Sequence, residues 1–421
     1  MRTNRIIAIV AVGILLTVSL SIGFMYFGDK EPPIKNVKGV AIDACATDES
    51  VSDLSDAMNE FAFSLYHQLA NDTDGNVFFS PYSIFVALAM TYEGAKNETA
   101  DEMNQLLSFP QHDDVTLCSF GKIYNLLNHD TEYILHTANA LWIKKDYPFL
   151  ESYLQYIKDY YMGKSTEVDF SNPEQAADLI NQWIMDQTNN KIKDLIQSSD
   201  INPLTALILT NAIYFKGDWK YAFNSELTVN LPFWLSSNQS IQVPMMNQGD
   251  TELTFNYTET EDMQIVKMPY KGDELSMIVY LPKEHNISNV EDNLTTSHFE
   301  TWNSLLTPQT VNIVFPKFTL EPEYSLKEPL MHLGMVNPFT NDADFSGMTG
   351  NDDLYIEKIK HKAFINVDEQ GTEAAAATSV HMTLKAVQST IFKADHPFVY
   401  CIVHEETNTI LFMGRLSNPS S

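Results

Sequence analysis

Across residues 53–70 the apolar positions Leu54, Met58, Phe61, Leu65 and Leu69 recur at spacings of three and four, which predicts an amphipathic helix. A polar turn at 71–75 leads to a short strand at 77–79. Ser80-Pro81 follows, with serine placed to cap a helix and proline suited to its first position. Residues 84–92 are apolar on nearly every face, so this helix is expected to lie deep. Further helices are expected around Gln105, Tyr124 and Tyr153 and over residues 174–188. The pattern changes after Pro203. Residues 206–215 form an apolar run too dense for an exposed strand and suited to the centre of a sheet. Segments 264–268, 275–281, 311–318, 363–367 and 410–412 also read as strands. Helices early and strands late, without regular alternation, predict an α+β fold.

Composition narrows the function. Of 421 residues, 44% are hydrophobic and 19% charged, as in a globular chain with a sizeable core. A net charge of −29 argues against nucleic acid and anionic lipid surfaces as partners. Residues 6–27 carry no charge, follow Arg2 and Arg5, and end at Asp29, Lys30 and Glu31. A span of that length crosses a bilayer core, which takes about 20 helical residues, and the basic flank stays inside. Residues 1–27 therefore read as an uncleaved membrane anchor or, alternatively, a cleaved or lipid-modified signal segment; either exports the body, secreted or tethered to the outer face of the membrane. Residues 28–51, with Pro32, Pro33 and Gly39, read as a linker, and 52–421 as one domain. Asn-x-Ser/Thr triplets at Asn71, Asn97, Asn238, Asn256, Asn286 and Asn293 agree with export. Cys45, Cys118 and Cys401 lie far apart without metal-ligand spacing. Cys401 reads as a buried apolar residue and Cys45 as a free thiol or attachment point, so no disulfide framework is expected.

Catalytic signatures are missing. The chain has no GxSxG, HExxH, P-loop or GxGxxG motif, and its histidines are scattered. Ser346-Gly347 has no neighbouring histidine and reads as a solvated turn. Neither an enzyme nor a metal or cofactor site is expected.

The C-terminal quarter carries more. After the alternating residues 364–368 comes Glu369-Gln370-Gly371-Thr372-Glu373-Ala374-Ala375-Ala376-Ala377. Four alanines in isolation favour a helix. Thr378, Ser379, Val380, Met382 and Thr383 then favour extended chain, and 372–395 holds no proline or glycine. Such a segment can be a loop in one state and a strand in another. It resembles the hinge of inhibitory serpins nearly residue for residue. Other blocks resemble the same family in order: Asn76 to Ile84 (NVFFSPYSI), Thr210 to Trp219 (TNAIYFKGDW), Met268 to Gly272 (MPYKG), Phe315 to Phe318 (FPKF), His361 to Ala363 (HKA), and the tail from His396-Pro397-Phe398 to Asn418-Pro419. The resemblance covers residues 52–419.

It implies helices packed on three β-sheets, with an exposed reactive-centre loop near the C-terminus. It implies a monomeric suicide inhibitor whose partner is a serine protease: the protease cleaves the loop, and the loop inserts into the main sheet with the protease attached. In the hinge, Thr372, Ala374 and Ala376 share one strand face and are small, while Glu373 falls on the other. The 14 residues from Thr372 to Lys385 span about 46 Å as a strand, comparable with a body diameter of roughly 55 Å for a chain of this size. By the family's spacing the scissile bond is Lys385-Ala386, with Leu384-Lys385 and Ala386-Val387 as neighbouring alternatives; a lysine there suits a trypsin-like protease. Ser80, Ser83, Asn211 and His361 match the polar cluster called the shutter. Trp219 matches the tryptophan of the breach, where Lys317 is positioned to pair with Glu369. Without the resemblance, His361 would read as a satisfied core histidine. The alternative function is a serpin-fold binding or chaperone protein that never inserts its loop.

Overall fold

In the computed structural model, the residues described are 40–109, 113–129, 131–202, 205–249, 252–372 and 390–420. Helix α1 (Asp48–Asn71) starts at a Thr47 cap whose hydroxyl accepts from the Ser50 N–H, and buries the predicted stripe of Leu54, Met58, Phe61, Leu65 and Leu69. After strand β1 (Val77–Phe79), Ser80 caps α2 (Pro81–Tyr92), in which all but Tyr92 are buried. Helices α3 (Asn97–Leu107), α4 (Asp114–Asn128), α5 (Glu151–Tyr161) and α6 (Pro173–Gln187) stand where helices were expected. Strands β2 (Ile134–Lys144) and β3 (Lys164–Val168), which the sequence reading did not anticipate, lie among them. The second half adds β4 (Leu207–Asp218), β5 (Val229–Ser236), β6 (Gln239–Asn247), β7 (Thr254–Glu259), β8 (Met263–Pro269) and β9 (Leu275–Pro282). Short helices α7 (Ser288–Glu291) and α8 (Thr296–Ser304) follow, then β10 (Thr307–Pro316), β11 (Phe318–Leu320), β12 (Glu323–Ser325), α9 (Lys327–His332) and α10 (Ser346–Thr349). The chain ends with β13 (Ile359–Val367), β14 (Gly371–Thr372), β15 (Thr390–Lys393), β16 (Phe398–His404) and β17 (Ile410–Leu416).

Among the described residues two hydrogen-bonded sheets result. The ten-stranded one runs β1-β17-β16-β9-β8-β7-β10-β6-β5, with β15 beside β10. Strand β10 changes partner along its length, pairing β7 over Thr307–Thr310 and β6 over Val314–Pro316. The smaller sheets implied by the resemblance are therefore continuous through this one strand. The seven-stranded sheet runs β11-β13-β14-β4-β2-β3, with β12 also on β13. Its central strand β4 is apolar on both faces because both are covered. Leu207, Leu209, Ile213 and Phe215 enter the main core with α1 and α2. Ile208 and Ala212 join Ala138, Ala140, Trp142, Ile180 and Ile184 in a second core under α6.

Two expectations need correction. Cys45 and Cys118 form a disulfide, so Cys45 is neither a free thiol nor an attachment point; Cys401 is buried, and burial pushes its thiol pKa up. The domain also begins before residue 52. Ahead of α1 the chain lies along α4, where the Asn125 amide donates to Ala41 O and accepts from the Ala41 N–H, both at 2.9 Å. A Cβ on Gly121 would stand 2.1 Å from Ile42 O, so only glycine admits the arm. Cys118, Gly121 and Asn125, spaced by three and four, form the single stripe of α4 that holds it. The disulfide closes a separation of 73 residues, and such a link contributes on the order of 2–5 kcal/mol.

Candidate functional site: the gap between strands β4 and β13

The site is a gap between two parallel strands, closed differently at its two levels. Over Ile359–Phe364, β13 pairs directly with β4 over Leu209–Tyr214. Beyond that, β14 stands between them, antiparallel to both: Thr372 opposes Val367 on one side and Gly217 on the other, and Gly371 opposes Asp218. Close approach explains the glycine. A Cβ on Gly371 would sit 2.1 Å from Gly217 O and 2.6 Å from Asp218 Cα.

The turn into β14 is held by backbone bonds and one aromatic stack. Trp219 donates its N–H to Gln370 O at 2.7 Å and its indole Nε1–H to Asp368 O at 3.0 Å; the Phe223 N–H donates to Glu369 O at 2.8 Å. Trp219 stacks on buried Tyr270 with ring centroids 4.6 Å apart, and the Tyr270 hydroxyl shares a 2.8 Å hydrogen bond with the Thr372 hydroxyl. Glu369 receives the Lys317 ammonium at 2.7 Å and the Thr228 hydroxyl at 2.8 Å. Burial pushes the Glu369 carboxyl up, but these two hydrogen bonds, a backbone hydrogen bond and the Lys317 charge together outweigh it and leave its pKa below the ordinary value.

At the second level a buried polar network spans adjacent strands. His361 and Asn211 are register partners across β13 and β4, as are Asn211 and Asn139 across β4 and β2. The Ser80 N–H donates to His361 Nε2 at 3.1 Å, so the ring proton lies on Nδ1 and is donated to Asn211 Oδ1. Asn211 Nδ2 donates to Ser83 Oγ and Asn139 Oδ1, and Ser83 Oγ donates to Asn139 Oδ1 at 2.9 Å. Ser80 Oγ completes the cluster by donating to Leu411 O at 2.6 Å. Burial lowers the His361 pKa to about 3, although its bond to Asn211 opposes the shift, so the ring is neutral across the ordinary pH range.

The structure thus brings Ser80, Ser83, Asn211 and His361 into one cluster and Trp219, Lys317, Glu369, Gly371 and Thr372 into another. Glu373, Ala374, Ala375, Ala376, Ala377, Lys385 and Ala386 lie outside the described residues. Asn139, Thr228 and Tyr270 belong to the site but were not singled out from the sequence. Only Tyr270 carried a signal, as part of a matched block without an assigned role.

Residues 56–419 match the family model for Serpin (serine protease inhibitor). An uncharacterized serpin-like protein of Thermococcus kodakarensis is 44% identical over 370 residues, covering 86% of this chain and 85% of its own. The leukocyte elastase inhibitor of Xenopus laevis is 38% identical, covering 88% of this chain and all of its own. Among solved structures, human thyroxine-binding globulin in complex with thyroxine superposes with a TM-score of 0.80 at 31% identity, covering 88% of this chain and 99% of its own. The chain belongs to the serpin family. Protease inhibition is the activity by which that family is described.

Proposed function

We propose that this chain traps a trypsin-like serine protease that cleaves its C-terminal loop near Lys385-Ala386. The observation that carries the reading is the position of Gly371 and Thr372, which start the loop inside the gap between β4 and β13. A strand continuing from Thr372 replaces one parallel interface with two antiparallel ones, which are slightly more stable per residue. Thr372, with Ala374 and Ala376 two and four residues on, presents only small side chains to the buried face. Continuing insertion breaks the bond from His361 to Asn211, since these residues are partners across the gap, and leaves Asn211 bonded to Asn139 on its other side. Ser80, Ser83, Asn211 and His361 then act as the shutter. Trp219, Lys317 and Glu369 hold the entry. The lysine at the cleaved bond supplies the charge that an acidic specificity pocket selects.

The fold is shared with a thyroxine-binding globulin, which favours a second reading as a carrier whose loop never inserts. The small residues that follow Thr372 favour the inhibitor. The Cys45–Cys118 disulfide and the six glycosylation triplets support a body lying outside the cell, secreted or held by the N-terminal segment.

Incubating the full chain with trypsin tests this. A covalent complex stable in SDS, with a released peptide beginning at Ala386, is the expected result. Clean cleavage with trypsin left active, and no rise in thermal stability afterwards, would exclude trapping and favour the carrier. A complex cleaved elsewhere would move the bond.

A further inference from the structure

Each of the six asparagines in Asn-x-Ser/Thr triplets is exposed, which by itself distinguishes none of them. Their hydrogen bonds do. Asn97 donates its amide to Asp344 Oδ2 at 2.7 Å, from a left-handed backbone with φ of 49°. Asn286 donates to Asn289 Oδ1 at 3.3 Å and Asn293 to Asn289 O at 2.9 Å. At Asn71 the paired hydroxyl is occupied, since Thr73 Oγ1 accepts from the Gly75 N–H at 2.9 Å.

Asn238 and Asn256 differ from these four. Among the described residues neither side-chain amide has a hydrogen-bond partner, and neither do the hydroxyls of Ser240 and Thr258. Asn238 lies at the turn joining β5 and β6. Asn256 lies within β7, where Thr258 two residues on shares its outward face while Phe255 and Tyr257 take the buried one.

We infer that Asn238 and Asn256 are N-glycosylation acceptors, each presenting a free amide beside a free hydroxyl. The donor is a glycan carried on a polyprenyl phosphate or diphosphate. Asparagine Nδ2 forms a bond to the anomeric carbon as the bond from that carbon to the phosphate oxygen breaks. The lipid phosphate leaves with the electron pair, and Nδ2 loses one proton to a carboxylate of the transferring enzyme. The inference rests on the proposed export, because this transfer takes place on the outer side of the exporting membrane. It also has a structural consequence. Among the described residues, strand β5 is an outer strand of the ten-stranded sheet, paired with β6 alone, and exposes Val229. A glycan at its end obstructs pairing with another chain.

The test is to produce the full chain in a host with an oligosaccharyltransferase, map its peptides by mass spectrometry, and locate the body by protease digestion of intact cells. The expected result is one glycan at each site. Asn238→Gln and Ser240→Ala each remove the first, while Asn256→Gln and Thr258→Ala each remove the second and Thr258→Ser keeps it. Peptides of unit mass without glycan at both sites, on a body accessible from outside, would overturn the inference and leave the inhibitory reading intact. A body protected inside the cell would overturn both this inference and export.

Discussion

At Gly371 and Thr372 the gap between β4 and β13 is filled by a third strand, whereas at Asn211 and His361 the same two strands touch directly. The filled level is built from a missing side chain and backbone bonds: Gly371 lets β14 close on the Gly217–Asp218 backbone of β4, and Trp219 and Phe223 donate main-chain N–H groups to the incoming turn. The closed level is built from side-chain amides, hydroxyls and an imidazole, with Ser80, Ser83, Asn211 and His361 removed from water and Asn139 half-buried at the edge. Backbone packing without side chains admits a strand. A buried polar network specifies the closed arrangement, because every partner lost leaves a dry donor or acceptor. The two levels therefore separate admission from resistance along one gap.

Changing the filled level has the largest expected effect. Thr372→Arg places a charge where the residue is fully buried, at a cost of roughly 3–5 kcal/mol if it stays inside. Expulsion of β14 and loss of protease trapping are expected, with the loop still cleaved; a variant that traps normally would show that Thr372 is not a buried insertion residue. Asn211→Ala attacks the closed level and takes one partner each from His361, Ser83 and Asn139, leaving the Ser83–Asn139 bond in place. A loss of about 1–3 kcal/mol is expected in urea unfolding. No loss would mean that water or repacking satisfies the cluster.

The histidine provides a pH test of the same level. Below about pH 6.5 the unfolded His361 takes up a proton while the folded ring stays neutral down to about 3. Acid therefore favours unfolding by about 1.4 kcal/mol per pH unit within that window, and above it the term vanishes. His361→Gln should flatten stability against pH between 6 and 4 relative to the parent. Parallel curves would place the histidine in water or in a protonated pair. The smallest effect is expected from Lys317→Ala, where the lysine side chain is 36% exposed and that of Glu369 12% exposed. Discounted for solvent, the pair is worth at most about 1 kcal/mol. That contribution is present above the ordinary carboxylate pKa and is lost as pH falls through the lowered pKa of Glu369. A much larger loss would mean that Lys317 also fixes the turn at residues 368–371.

Local patterns made much of the scaffold legible. Ser80-Pro81 predicted both a cap and a start, and the dense apolar run predicted a strand covered on both faces. Strand β2 escaped because His136, Ala138, Asn139 and Ala140 are poor strand formers in isolation, and only packing under α6 and pairing with β4 make them one. For the same reason Asn139 went unnoticed: its role depends on a register partner 72 residues away. The disulfide left no local trace at all. It needs the arm to fold back along α4, and that docking is carried by Asn125 and the bare face of Gly121.

That arm also decides where mechanical load enters the body. A pull on the segment preceding residue 40 would travel along the arm to Cys45 and cross the sulfur bridge directly to Cys118 in α4. Residues 46–117, which include α1, β1, α2 and α3, lie in a side loop that carries no tension while the bridge holds. The protein could thus be tugged by its leading end without paying out the helices that pack beneath its strands.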